Sequence, residues 1–352
     1  MRIGMGVPYG GPGEDFHAAV DRLADYEKAG LDIVMVPELY GFDGVSRLGY
    51  VAAKLSRVQL QSGILQTYPR TPTLMAMTAA GLDAVSKGRF NLGIGASGPQ
   101  VIEGFHGVPY DAPIGRTREL IEICHIVWRR EPLVYDGKYY KLPLPEGAGT
   151  GLGKPLKMID HPVRSRIPIT IAAIGPKNVA LAAELADGYQ PPFFVPEKAA
   201  DVWARPIAEG SAKRDPALAP LETHVSMPLA IGDDVDDLHD LGRPQRALYI
   251  GGMGARGRNF YNNLARWFGY EEAAARIQDL YLSGKKKEAE AAVPHDLLVK
   301  TSLIGPEGHI RDRLSALREA GVTTITVRPA HGATHADRVK QIERFRELCD
   351  EA

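Results

Sequence analysis

Residues Gly93-Ile-Gly-Ala-Ser-Gly98 admit two readings, and the choice between them decides the fold. As G-x-G-x-x-G at the end of the strand-like Arg89–Gly95, they have the glycine spacing of a dinucleotide-binding turn. That turn needs a helix opening at once to receive a pyrophosphate. It also needs an acidic residue about twenty positions on, at the end of a second strand. Here Pro99 follows the last glycine, and Gly104, Gly107, Pro109 and Pro113 crowd the stretch beyond it, which predicts a poor helix. Asp111 lies near the required distance but ends no apparent strand. The second reading is a strand that runs out into a loop of small residues. Such a loop lets a flat ring approach the backbone, with Ser97 as a hydrogen-bond donor. A tight turn without a ligand fits the local sequence as well.

Working outward from this stretch, the chain alternates. Ile3–Val7 reads as a strand, Phe16–Ala29 as a helix stopped by Gly30, and Leu31–Pro37 as a second strand. Leu48–Leu55 reads as a helix, Val58–Leu65 as strand three, Thr71–Ser86 as a helix, Phe90–Gly95 as strand four and Thr117–Arg129 as a helix. Ile167–Ala173, Gly188–Pro192, Thr223–Ala230 and Thr323–Val327 are the later strands, with helices at Lys177–Ala186 and Gly308–Ala320. The runs are rich in Val, Ile and Leu, as in parallel strands buried on both faces. Eight strands without a domain linker predict a closed (β/α)8 TIM barrel, an α/β fold formed by residues 1–352 as a single domain. The dinucleotide reading loses on this count too, because its motif would sit on the fourth β–α unit.

Two stretches break the rhythm. Residues 131–166 are rich in Gly, Pro and Lys, and residues 233–301 contain at least two helices, Asn259–Phe268 and Tyr270–Ser283. Both are read as insertions at the C-terminal face, where barrels carry their active sites. Lys285–Lys287 reads as a solvated helix end, and Phe260, Tyr261, Trp267 and Phe268 as packing residues of the inserted helices.

The chain has 352 residues, 44% hydrophobic and 24% charged, with a formal net charge of −1. No global field favours nucleic acid or an anionic membrane. Cys124 and Cys349 fall in helical patterns and read as buried, inert thiols, and no Cys/His spacing suggests a metal site. The first residues lack a signal-peptide pattern and no apolar run is long enough to span a bilayer, so a cytoplasmic protein is expected.

Three groups of motifs carry a family resemblance. Ser62–Pro72 followed by Ala79–Gly95, with its run D-x-x-S-x-G-R-F-x-L-G-I-G, resembles the bacterial luciferase-like superfamily. So do Ile171–Lys177 with Ala186-Asp-Gly188, and Leu303–Glu307 with Leu317–Val322. The stretch Gly251–Tyr261 is similar to the branch using the deazaflavin coenzyme F420, related to methylene-tetrahydromethanopterin reductase. The resemblance implies a (β/α)8 barrel, a site at the strand C-terminal ends, and a non-prolyl cis peptide at Gly63–Ile64 forming a bulge behind the middle ring of the cofactor. It suggests a homodimer through barrel helices.

On these grounds Gly63, Ile64 and Leu65 are expected to back the ring, and Ala96, Ser97 and Gly98 to approach its edge or side chain. Ala173, Ile174, Gly175 and Pro176 are expected to hold the cofactor phosphate, on free N–H groups at a helix start, with Lys177 adding charge. Arg256, beside Arg258 in a glycine-rich loop, is a candidate for the coenzyme's acidic tail. Sugar-phosphate dehydrogenases of the family carry Asp-His at the end of strand two, the histidine acting as base. Here Glu38-Leu39 takes that place. Glu38 is therefore a candidate acid or base, a cofactor ligand or the partner of an arginine. His106 is a second catalytic candidate, and Tyr9, Gln66 and Tyr68 are possible substrate contacts.

The leading expectation is an oxidoreductase passing hydride between coenzyme F420 and a small organic substrate, with reduction of a C=C, C=N or C=O bond the favoured direction. An FMNH2-dependent monooxygenase, with FMN as cofactor, is the rival enzyme. A non-catalytic F420- or flavin-binding carrier is the rival of another class.

Overall fold

A computed structural model describes residues 1–9, 13, 15–332 and 334–351. Eight parallel strands close into a ring: β1 (Arg2–Gly6), β2 (Ile33–Val36), β3 (Gln59–Ser62), β4 (Phe90–Gly95), β5 (Ile169–Ala172), β6 (Gly188–Gln190), β7 (Glu222–Ile231) and β8 (Thr324–Pro329). Each pairs with the next, and β8 closes onto β1 in the register Arg2↔Thr324 to Met5↔Val327. Helices cover the outside, and the barrel of the sequence reading is the one observed.

The pleat sorts the side chains. Ile3, Leu60, Phe90, Leu92, Ile94, Ile171, Tyr189, Val225, Ile325 and Val327 point outward and are buried beneath the helices. Most inward positions are small or polar, with Ile33 and Met35 of β2 as apolar exceptions. Gly4 stands so close to Thr326 that a Cβ there would fall 2.7 Å from its Oγ1. Gln61 reaches across the lumen to Gln190 Oε1 at 3.4 Å, and Thr170 Oγ1 donates to Asn91 at 3.2 Å.

Capping side chains set the helix starts. Asp15, Asp43 and Thr71 accept from the N–H groups of His17, Ser46 and Leu74, opening helices at Phe16, Gly44 and Pro72. The second helix thus starts four residues earlier than its apolar pattern implied. The helix expected from Thr117 also starts early, at Pro113, because proline suits a first turn. Gly30, at φ +102°, ends the first helix against Arg346.

The most family-specific motif lies at the other end of the barrel from the mouth. Asp83 is fully buried and pairs with Arg164 of the first insertion. Gly88 takes φ +81°. Arg89 donates to the carbonyls of Ser86 and Val58, both at 2.8 Å, and of Leu55 at 2.9 Å. This motif is a clamp where the chain enters β4, and its role is to hold the scaffold.

The first excursion carries one small hairpin, Tyr135–Asp136 against Lys141–Leu142. The second holds more helix than expected: Arg243–Ala247, Phe260–Trp267, Glu271–Leu282, Lys286–Ala291 and His295–Lys300. Lys286 and Lys287 open a helix here rather than end one. Of the four aromatic residues expected to pack, Phe268 is buried, whereas Phe260 and Trp267 remain 49% and 43% exposed. The inserted helix is short and buries one face only, through Asn262, Leu264 and Ala265. Both cysteines are buried free thiols. No described helix is long and apolar enough to cross a membrane.

Candidate active site at the barrel mouth

The expected strand Val58–Leu65 breaks at its C-terminal end. β3 stops at Ser62, the Gly63–Ile64 peptide is cis, and Leu65–Gln66 then pairs with Ile94–Gly95 of β4. The side chain of Ile64 lies over the neighbouring strand ends. A Cβ on Gly95 would fall 2.8 Å from Ile64 Cδ1 and 3.5 Å from Ala172 Cβ. Glycine at 95 is what lets β3, β4 and β5 converge. Leu65 is fully buried behind this bulge.

Ala96, Ser97 and Gly98 are half-buried, and Ser97 takes φ +59°. A helix opens directly at Pro99 but is poor, as the sequence implied, ending after six residues at Gly104. Gly98 cannot cap it with a side chain, and a Cβ on Gly98 would meet nothing within 4 Å. Two side-chain atoms beside the bulge, Gln66 Oε1 and Thr67 Oγ1, are buried without a hydrogen-bond partner. Gln66 and Thr67 are 0% and 2% exposed, so each orphan carries a desolvation cost unless a ligand meets it.

Beyond β5, Ala173 is buried and donates to Gln190 O at 3.2 Å. Ile174 and Gly175 are half-buried, and Gly175 caps the helix Pro176–Leu185 with no side-chain hydrogen bond. The Gly175 and Lys177 N–H groups make no hydrogen bond among the described residues. The Gly175 Cβ position is open. Pro176 and Lys177 are exposed. A cavity of about 380 Å³ adjoins this helix start, bounded by Pro176, Asp201, Val202, Trp203 and Trp267. Exposed Trp267 therefore lines a cavity instead of the core.

Glu38 is held tightly. Its carboxylate accepts from Arg70 Nη1 at 2.6 Å and Nη2 at 2.9 Å, and from the Gly44 N–H at 2.7 Å. The two side chains are only 9% and 15% exposed. Of the roles open to Glu38, the pairing with an arginine is the one the geometry displays. Sequence reasoning assigned no role to Arg70, which also lines a cavity of about 220 Å³ with Tyr68, Asp111, Arg116 and Tyr140. His106 has a buried Nε2 with no partner, and its ring meets Phe105 edge-on. Phe105 in turn leans on Tyr40 at the end of β2, with centroids 6.1 Å apart.

Arg256 departs from the expectation. Its guanidinium bonds Asp279 on the helix Glu271–Leu282 at 2.7 Å, and both side chains are more than 60% exposed. An acidic tail would have to displace an existing carboxylate there. No group of His, Cys, Asp and Glu suited to a metal occurs among the described residues.

The barrel thus has a cis-peptide bulge and a glycine-capped helix start at one mouth, as the family resemblance implied. The chain belongs to the luciferase-like monooxygenase family, whose model matches residues 1–324. It is 38% identical over 335 residues to a putative coenzyme F420-dependent oxidoreductase of Mycobacterium tuberculosis, covering 93% of this chain and 94% of that one. It is 27% identical over 305 residues to a 5,10-methylenetetrahydromethanopterin reductase of Archaeoglobus fulgidus, covering 85% of each. Among solved structures, the coenzyme F420-dependent tetrahydromethanopterin reductase of Methanopyrus kandleri superposes with a TM-score of 0.79 at 22% identity, covering 97% of both chains.

Proposed function

We propose that this protein is an oxidoreductase that uses coenzyme F420 to reduce an electrophilic C=C, C=N or C=O bond of a small organic substrate. The observation that carries the reading is a mouth built for a flat, anionic cofactor. The Gly63–Ile64 bulge and the orphaned Gln66 and Thr67 oxygens stand at one side, and the open N–H groups at Gly175 and Lys177 at the next strand end but one. The names of relatives that print a cofactor favour F420 over FMN.

When bound, F420 supplies a hydride donor or acceptor at its central carbon. The protein must hold it, orient one face and exclude water. Gly63, Ile64 and Leu65 back the ring. The Gln66 and Thr67 oxygens offer acceptors to its polar edge, and Ala96, Ser97 and Gly98 approach it closely because they are small. Ala173, Ile174, Gly175 and Pro176 take the phosphate on backbone N–H groups, assisted by Lys177. Glu38 positions Arg70 and the loop into the second helix, leaving His106 as the candidate proton carrier. Arg256, already paired, is assigned no cofactor contact.

A homodimer is part of the same proposal. Leu74, Met77 and Val85 stand 47%, 56% and 61% exposed at helical spacing along Pro72–Val85.

The test is turnover. Reduced F420 is mixed with the protein and a panel of enones, imines and ketones, and the return of the oxidised cofactor's absorbance is followed. Substrate-dependent reoxidation is expected, and His106→Gln should lower its rate and change its pH profile. F420 binding with no turnover on any substrate supports the carrier reading instead. Oxygen-dependent product formation with reduced FMN supports the monooxygenase.

A further inference from the structure

Arg246 is 7% exposed and has no acidic partner among the described residues. Its Nη2 donates to Thr301 Oγ1 at 3.1 Å, while Nε is buried with no acceptor and Nη1 makes no hydrogen bond. Its guanidinium lies 4.8 Å from the centroid of Phe193, just beyond the end of β6. Burial, opposed by Tyr249 and aided by neighbouring Arg328, lowers its pKa to about 10. A buried cation without a counter-ion is costly, and stacking on one ring offsets only part of that cost. Such a group signals a site that needs the charge.

Arg328 is the second unpaired cation. It lies near the C-terminal end of β8, paired in register with Pro228 of β7. It shares the inward parity of Thr326, which packs on Gly4 across the lumen side. The side chain is exposed and makes no hydrogen bond or ion pair among the described residues. Aromatic rings stand beside the pair. Tyr249 and Tyr261 meet edge-on at 4.7 Å, and both pack on Phe193, at 6.1 and 5.9 Å. Tyr9, at the end of β1, is 55% exposed, with Tyr249, Tyr40 and Arg47 near enough to shift its titration. The insertion thus delivers one arginine and two tyrosines to the β6–β8–β1 side of the mouth. The proposed phosphate position at Gly175 follows β5.

We propose that Arg246 and Arg328 form the anion-recognition subsite of the substrate pocket, selecting a substrate whose carboxylate or phosphate group is carried on a flat, unsaturated body that Phe193, Tyr249 and Tyr9 flank. The proposal rests on the oxidoreductase reading, since it names the substrate class of that site. Two guanidinium forks match either anion, and aromatic walls suit a planar acceptor of hydride.

The test uses the full-length protein, with and without F420, and three probes: cinnamate, phenyl phosphate and the neutral cinnamamide. Binding is read by titration calorimetry, and F420 affinity separately by fluorescence quenching. At least one anionic probe is expected to bind about tenfold or more tightly than cinnamamide. The stronger of the two identifies the anion as carboxylate or phosphate. Arg328→Gln, a change at an exposed side chain, should remove most of that preference and leave F420 affinity unchanged. Arg246→Lys, which keeps a charge at the buried position, should weaken it in part. Equal binding of cinnamate, phenyl phosphate and cinnamamide, or no binding by either anion, would overturn the proposal. So would an Arg328→Gln variant that loses F420 instead, which would give the arginines to the cofactor's own acidic tail. Failure of F420 to bind, with the anion preference intact, would sink only the cofactor reading.

Discussion

Glu38 is an acidic residue at the mouth, next to Leu39 where the family resemblance would place a histidine base, yet it is bound by three donors. Glu38→Gln keeps the shape and removes the charge. The amide cannot accept from both Arg70 nitrogens and the Gly44 N–H, so at least one buried donor loses its partner. Breaking a buried ion pair on one side costs roughly 3–5 kcal/mol. With Glu38 and Arg70 at 9% and 15% exposure, about 3 kcal/mol is the appropriate end of that range. For 352 residues the unfolding entropy near the midpoint is about 0.7 kcal/mol/K, so Tm should fall by about 4 °C. Urea unfolding and calorimetry measure this. Arg70→Met alone should cost a similar amount, and Glu38→Leu/Arg70→Met less than the two single changes together, since no charge is left unpaired. Turnover at permissive temperature should keep its pH profile. A Glu38→Gln protein of unchanged stability, with kcat down a hundredfold or more and one limb of the profile lost, would refute this reasoning and make Glu38 the acid or base.

Other outcomes follow from single sites. Gly175→Trp enters open space at an ordinary backbone angle, so stability should hold to about 0.5 kcal/mol while F420 affinity falls at least tenfold; unchanged affinity would show the phosphate site misplaced. Burial, aided by Arg166 and Arg129, pushes His125 from 6.5 down to about 4. Its neutral form is favoured by folding, so this stability is fully present above about pH 6.5 and is lost as pH falls toward 4, by at most on the order of 3 kcal/mol. His125→Phe should flatten denaturation midpoints over that window, and an unchanged slope would contradict the assignment. Met77→Glu, in the exposed stripe of Pro72–Val85, should convert a dimer to a monomer in light scattering; an unaltered dimer would place the interface elsewhere.

The barrel was legible because periodicity is a local property. Most strands between Ile3 and Val327 showed an apolar run and most outer helices a stripe, but Gly188–Gln190 carries no such run, and the helices Ala199–Ser211 and His335–Glu351 were not read from the sequence. Boundaries were less so where caps overrode the stripe, as Asp43 did at Gly44 and Pro113 did before Thr117. The cis peptide at Gly63–Ile64 and the glycine-capped helix start at Pro176 were readable through glycines and the family motifs, and the quoted Gly93–Gly98 stretch does end a barrel strand. The rest depends on distances that sequence does not encode. Glu38 and Arg70 are 32 positions apart and meet only because β2 and β3 are neighbours. Arg246 lies in an insertion whose helices carry no strand rhythm, and nothing local marks it as buried. Phe260 and Trp267 looked like core for the opposite reason: they are large and apolar on a helix that buries one face.

The central claim is that this mouth holds a deazaflavin. Titrating the purified protein with F420 and, separately, with FMN, and following the quenching of each cofactor's fluorescence, tests it directly. Saturable quenching of F420 at micromolar concentration is expected, with FMN binding at least tenfold weaker and Gly175→Trp abolishing the F420 response. Micromolar FMN binding with no response to F420 would contradict it.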